Sequence, residues 1–308
     1  MLEKKSLKTG NIKNQSTQIV LSAMALPFLI LVLVFNYIPI WGWITAFQSY
    51  RLGHSFLDQE WVGLKWFIEL SKDQRFFNAL INTLGMSFMQ LVVNFTFPII
   101  FAILLNELRF LPFKKIVQTV SYLPHFVSWV VVAGMVYMMT STDGGLLNNI
   151  LVLLGFEPVQ FMANPDYFWF IVTISDLWKE MGWNAIIFLA AITSIDPQIY
   201  EAAKVDGAGK FRQIVHVTLP GISHVIVVLL ILSIGNIISI GFEKQFLLGN
   251  SIVLERSEVI DLYALGAGIN QGRFSYGTAI GMFKSLVSLI LLFSANNIFK
   301  KSTDQSVF

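Results

Sequence analysis

Residues 196–220 read DPQIYEAAKVDGAGKFRQIVHVTLP, a polar stretch between two long apolar runs. Asp196 can accept the first unpaired amides of a helix, and Pro197 suits the first helical position, where a missing N–H and a fixed φ do no harm. Glu201-Ala202-Ala203-Lys204 continues with strong helix formers. Gly207 and Gly209 supply positions able to take positive φ, which stops the helix. A second short helix is expected from Phe211 to Val217, ended before Pro220, whose ring breaks a backbone bond inside a helix. The stretch therefore reads as helix, turn, helix, joined to an apolar span at each end. Those flanking spans argue against a DNA-reading helix-turn-helix. Gly207-Ala208-Gly209-Lys210 is no phosphate loop either: the position five before its Gly-Lys pair is Lys204 and the one after is Phe211, where glycine and Ser or Thr are needed.

Outward from this loop, composition sets the solvent. The chain has 308 residues, 55% hydrophobic and 13% charged, against about a quarter charged in ordinary soluble domains. The formal charge of +2 is small and scattered, so no nucleic-acid partner is expected. With no cysteine there is no disulfide framework, thiolate metal site or cysteine nucleophile. His54, His125, His216 and His224 are too scattered for a metal site. Six apolar stretches approach the roughly 20 residues that cross a bilayer: Ile19–Trp43, Ala79–Leu105, Ile116–Met139, Phe168–Ile195, Gly221–Ile240 and Thr278–Phe299. Hydrocarbon cannot satisfy bare amides, so all six are predicted as helices. The fold class is an all-α membrane protein with six transmembrane helices, one domain over residues 19–300, and short tails at 1–18 and 301–308. Leu146–Gly155 is apolar but too short to cross, and reads as a surface helix. Ala23 and Ala25 lie near the start of the first apolar run, badly placed for signal cleavage, so an uncleaved first helix is expected.

Loop charges orient the bundle, because Lys and Arg stay on the cytoplasmic side in short loops. The two tails and the second and fourth loops carry twelve, among them Lys4, Lys5, Arg109, Lys114, Lys204 and Lys300. The longer first, third and fifth loops carry seven, and the third has none. Both termini and the 196–220 loop are thus expected in the cytoplasm. Trp41, Trp43, Trp66 and Trp169 fall near the expected interfaces, where amphipathic rings anchor.

The spacing of the loop carries a resemblance. Glu201-Ala202-Ala203, then Gly207 after three residues, then Val217-Thr218-Leu219-Pro220 after nine more, resembles the signature of binding-protein-dependent ABC importer permeases, with Val217 where isoleucine is usual. Asn82-Thr83, Tyr122-Leu123-Pro124-His125 with Ser128-Trp129, and Gly145-Leu146-Leu147-Asn148 are similar to its sugar-permease branch, closest to permeases for multiple sugars and polysaccharide fragments. The resemblance implies a pore-forming subunit that is not an enzyme and binds no cofactor. A cytoplasmic ATP-binding subunit dimer would consume ATP and Mg, a second permease would complete the pore, and an extracytoplasmic sugar-binding protein would deliver cargo. It further implies that Glu201, Ala202, Ala203, Asp206, Gly207, Val217, Leu219 and Pro220 form a coupling helix seated on the ATPase, in the cytoplasmic membrane of a prokaryote.

In the fourth span Asp176, Lys179, Glu180 and Trp183 lie at i, i+3, i+4 and i+7, one stripe of a helix. Asp176 is eight residues beyond Phe168, roughly 12 Å into the span. A central charge costs about 2.5–3.5 kcal/mol to insert, so the stripe should face a solvated pathway or be paired. Two readings stay open. In one, the stripe with Asn184 and Asn236, helped by Asn94 and Trp178, contacts a polyhydroxylated cargo. In the other, Asp176 pairs with Lys179 while Glu180 bonds a neighbouring helix and the stripe only holds the bundle together. An ion-coupled secondary transporter is the rival function, since midplane charges can serve proton coupling. It is disfavoured by the lack of evident inverted repeats and broken helices. A membrane enzyme would need a nucleophile–base pair at matched depth, and none is evident. Gly277 and Gly281 form a Gly-x-x-x-Gly pair that suits close helix packing.

Overall fold

The computed structural model describes residues 6–303, with side chains described from 17 to 301. The tails at 1–5 and 304–308 lie outside the described residues. Helix α1 (Ser6–Val32) continues through a π turn, Leu33–Tyr37, into a 3-10 segment, Ile38–Phe47. Its apolar side chains stand exposed, Phe28 and Phe35 each at 70%. A helix apolar all round needs hydrocarbon or another protein around it. The short strands β1 (Gln48–Ser49) and β2 (Glu60–Trp61) pair antiparallel beyond it, and α2 (Lys65–Leu70) follows.

Helix α3 (Gln74–Glu107) starts on Asp73, whose carboxylate accepts the amides of Arg75 and Phe76. Next come α4 (Leu111–Tyr122), a 3-10 turn over Leu123–Phe126, α5 (Trp129–Thr140) and α6 (Leu146–Leu153). Helix α7 (Pro165–Thr193) forms with α3 the most extensive helix pair. Helix α8 (Pro197–Val205) leads to α9 (Lys210–Gln213), a π turn over Ile214–Thr218, and α10 (Leu219–Gly221). Then follow α11 (Ser223–Gly235), α12 (Phe242–Leu248), α13 (Leu254–Ser257), α14 (Ile260–Leu265) and the closing α15 (Phe274–Thr303).

Three apolar clusters hold the bundle. Met86, Phe168 and Val172 centre the one joining α3, α7 and α12; Ala102, Phe188 and Ile222 another; Phe76, Tyr276 and Ile280 the third. Helices α4 and α7 touch at Gly182, where an added Cβ would lie 2.1 Å from the Ser121 carbonyl oxygen.

Among the described residues three helices are long and apolar enough to cross a membrane, and five if each of two bent pairs is one span. Helix α7 is 29 residues long, but Asp176, Lys179 and Glu180 dilute its apolarity. The continuous third span expected over Ile116–Met139 is instead α4 and α5, bent by 102°. Pro124 and the extended Val127 stop the first piece, and Ser128 caps the second through Val131 N. The fifth span is shorter than Gly221–Ile240, because α11 ends at Gly235 and the chain then turns. Pro220 does not end a helix: α9 runs on through the π turn into α10, with Pro220 in its first turn. A π turn widens the helix where a proline removes a donor. Gly207 takes φ of +76°, as expected, whereas Gly209 is extended at −66° and precedes α9.

Candidate functional site

A cavity of about 390 Å³ opens between α3, α7, α11 and the start of α12. Its wall includes Asp176, Glu180 and Asn184 of α7, Asn94 of α3 and Asn236, so four of the six pathway candidates and Asn94 meet in one place. Lys179 and Trp183 do not line it. The pairing of Asp176 with Lys179 expected under the structural reading does not occur. Asp176 Oδ1 is instead 2.9 Å from Lys244 Nζ, and its Oδ2 accepts from Asn94 Nδ2 at 2.5 Å. Lys244 also donates to Gln90 Oε1 at 2.9 Å. Its stem passes over Gly241, where a Cβ would meet Cε at 3.1 Å, and Gly241 takes φ of +93° to start α12. By sequence Lys244 falls in the loop after the Gly221–Ile240 run, and only the fold of α12 carries it inward.

Lys179 serves the break in the third span. Its ammonium donates to the His125 carbonyl at 2.5 Å and lies 3.0 Å from Glu180 Oε1. A carbonyl at a helix break lacks its usual partner, and the ammonium replaces it. Glu180 Oε2 meets His125 Nδ1 at 2.7 Å, and the His125 ring stacks on Trp183 with centroids 4.3 Å apart. Trp129 presents its ring to both ammonium groups, 6.0 Å from Lys179 and 5.8 Å from Lys244. Each buried cation therefore has a carboxylate, a neutral oxygen acceptor and an aromatic neighbour. Trp178, expected to offer a cargo surface, lines a separate apolar cavity of about 570 Å³ with Phe170, Ile174 and Met135.

The 196–220 loop is built as its sequence requires. Asp196 Oδ1 accepts the Gln198 amide at 2.9 Å. At the turn, Ala208 N reaches Ala203 O at 2.9 Å and Gly207 N reaches Lys204 O at 3.0 Å. Gln213 Nε2 donates to Ala208 O at 2.7 Å, and the Tyr200 and Thr218 hydroxyls meet at 2.9 Å, so the two arms are cross-braced. Lys210 pairs with Glu107, the last residue of α3, at 2.6 Å. Glu201, Ala202, Asp206, Gly207 and Pro220 are exposed, while Ala203, Val217 and Leu219 are half-buried. The turn also exposes Val205 at 88% and Phe211 at 78%, two apolar tips that sequence reading did not single out.

A further cluster lies at the start of α3. The Asp73 carboxylate accepts the Tyr263 hydroxyl and, at 2.6 Å, the Tyr276 hydroxyl. Beside it Arg75 forks onto Glu258 at 2.7 and 2.6 Å, and Arg273 pairs with Glu69. Burial pushes the Asp73 carboxyl up, but the two hydroxyls and the Phe76 and Arg75 amides outweigh it and hold the group below its ordinary value. Burial, with the adjacent Asp73 carboxylate, pushes the Tyr263 phenol up to about 12.

A polar cavity inside an apolar helical bundle, joined by its own helices to an exposed helical loop, is the anatomy of a transport subunit. The family model for the binding-protein-dependent transport system inner membrane component matches residues 94–304. The chain is 47% identical over 285 residues to a polygalacturonan/rhamnogalacturonan transport system permease protein of Bacillus subtilis, covering 92% of this chain and 89% of that one. It is 31% identical over 268 residues to an arabinooligosaccharides transport system permease protein of the same organism, covering 86% and 83%. A chain in the crystal structure of a bacterial alginate ABC transporter, in complex with an alginate pentasaccharide-bound periplasmic protein, superimposes with a TM-score of 0.87 at 37% identity, over 96% of this chain and 99% of that one. The chain belongs to the family of binding-protein-dependent transport system inner membrane components.

Proposed function

We propose that the chain is one permease subunit of an ATP-driven importer that moves an oligosaccharide or polysaccharide fragment across the cytoplasmic membrane. The observation that carries this reading is a shared pair of helices. Helix α7 supplies Asp176, Glu180 and Asn184 to the cavity and leads through a short turn into α8; α9 and α10 lead across a 60° bend into α11, which supplies Ser233. A push on the loop between α8 and α9 therefore reaches both sides of the cavity. The cross-braces Tyr200–Thr218 and Gln213–Ala208 let it move as one piece.

In this reading the 196–220 loop docks on a cytoplasmic ATPase, which holds ATP and Mg. Glu201, Ala202, Ala203, Asp206, Gly207, Val217, Leu219 and Pro220 form the coupling segment, and Val205 and Phe211 are apolar contacts at its tip. Six spans with both termini in the cytoplasm follow from the loop charges, with the α4–α5 pair taken as one bent span. A second permease supplies the other half of the pore, and a soluble sugar-binding protein docks on the opposite face. The polysaccharide and arabinooligosaccharide systems named for the relatives support carbohydrate as cargo. Asp176, Glu180, Asn184 and Asn236 line the path, and Lys179 and Trp183 set its shape through His125.

Two measurements on the reconstituted complex test this. Scrambling residues 201–207 is expected to abolish both assembly with the ATPase and cargo delivery; intact assembly and delivery would reject the coupling role. Glu180→Gln and Trp183→Ala are expected to slow uptake of labelled oligosaccharide, and wild-type rates in both would discard the pathway.

A further inference from the structure

One face of α3 carries Ser87, Gln90 and Asn94 at i, i+3 and i+7, and all three line the polar cavity. Each ends in a buried polar atom without a partner: the Ser87 hydroxyl, the Gln90 amide nitrogen and the Asn94 amide oxygen. Ser87 is 3% and Gln90 7% exposed. Thr173 and Gln245 also hold an orphaned oxygen, but neither lines the cavity. Leaving such a group unpaired is unfavourable, so three on residues of one cavity wall mark a place that a ligand completes.

The other ends of the two amides are committed. Gln90 Oε1 faces Lys244, and Asn94 Nδ2 is held by Asp176. That fixes which way each amide points: the free Gln90 end is a donor, the free Asn94 end is an acceptor, and Ser87 serves as either. The nearby charges already cancel in pairs, Asp176 with Lys244 and Glu180 with Lys179. A carboxylate would bring an uncompensated charge and set it against the Asn94 oxygen. Two adjacent hydroxyls, each able to give and take a proton, answer a donor, an acceptor and a hydroxyl together.

We propose that Ser87, Gln90 and Asn94 form a subsite that reads a vicinal diol of the passing sugar without regard to the sugar's charge. This rests on the pathway reading above and adds its chemistry: the wall of α3 grips ring hydroxyls shared by acidic and neutral glycans alike. A site of this kind can hand on many sugar units in turn, because it demands nothing beyond the ring.

The test is saturation-transfer NMR on the full complex in lipid nanodiscs, with methyl α-galactoside and methyl α-galacturonide as probes. Both are expected to bind with similar affinity. Ser87→Ala, which deletes an unpartnered hydroxyl, is expected to raise the Kd for both probes about two- to tenfold, the worth of one neutral hydrogen bond, and Gln90→Glu, which keeps an oxygen toward Lys244 and removes the amide donor but adds a negative charge, to do the same for the neutral galactoside. Thermal unfolding of Ser87→Ala at the wild-type temperature would show that the loss is not misfolding. Binding of the galacturonide alone would overturn the diol assignment, and unchanged affinities in both variants, or no binding of either probe, would mean that the orphaned groups hold water only. Neither result touches the Glu180→Gln and Trp183→Ala uptake test, so the subsite can fail while the pathway stands.

Discussion

Lys244 places its ammonium 2.9 Å from the Asp176 carboxylate, tying α12, a helix of seven residues, to the middle of α7. The two side chains are 8% and 13% exposed, so the pair is buried, and it is neutral only as a pair. Removing one partner of a buried pair strands the other charge, at about 3–5 kcal/mol, whereas replacing both is often neutral. Lys244→Met or Asp176→Asn alone is expected to lower the unfolding temperature of the complex markedly, and the double variant to recover most of it. A double variant as unstable as the sum of the singles would show that the two groups act independently.

Gly182 and Gly281 give opposite forecasts for the same change. A Cβ at Gly182 would overlap the backbone of Ser121, while one at Gly281 meets nothing within 4 Å. Gly182→Ala must push α4 from α7 and is expected to cost at least the 1–3 kcal/mol typical of overpacking, that is roughly 1–3 kcal/mol or more. Gly281→Ala sits inside α15 and should be neutral or stabilising by up to about 1 kcal/mol. Chemical denaturation of the two variants side by side checks this.

At Gly207 the space is open but φ is +76°. Gly207→Ala therefore carries a backbone cost alone, about 1–2 kcal/mol, confined to the turn between α8 and α9. The expected outcome is a bundle of normal stability whose binding-protein-stimulated ATP hydrolysis drives less transport per ATP. Equal transport per ATP would show that the turn tolerates the change.

Asp73 makes the start of α3 sensitive to acid. Its carboxyl lies below the ordinary value of 3.8 in the folded chain, so its ionised form stabilises the fold fully above that value. The stabilisation fades as pH falls through the lower folded value. Wild type should exceed Asp73→Asn in unfolding temperature at pH 6, with the gap closing toward pH 3. A gap independent of pH would assign the difference to packing.

Much of the 196–220 loop was legible because its signals are local. A cap at Asp196, a proline at 197 and a glycine at 207 act on their own few residues, and the structure follows them. The second arm deviates: Pro220 is expected to end a helix, yet the π turn over Ile214–Thr218 carries the helix past it to Gly221. In the same way Pro124 signalled nothing decisive inside an apolar run, although a 102° bend follows it. The Gly277–Gly281 pair divides: Gly277 packs within the chain on Gly268, its Cβ position 2.7 Å from that Cα, and Gly281 has no such neighbour. Of the interface tryptophans, Trp169 donates to Arg256 O at 2.9 Å and Trp66 to Gln48 O at 2.8 Å, so both are held by backbone carbonyls while half-buried.

The sequence by itself determined an apolar helical chain in need of lipid, interrupted by one polar elbow, with charges on α7 that must find partners. Those conclusions depend on hydropathy, capping and helical period, which each short segment carries alone. Only the tertiary structure decided that Asp176 answers to Lys244, 68 residues away by number, that Lys179 closes the open carbonyl at His125, and that three side chains of α3, each with an unpaired polar atom, line one cavity. Pairings between distant segments are chosen by how the helices stack, and a carboxylate in an apolar helix announces its need for a cation without naming which one.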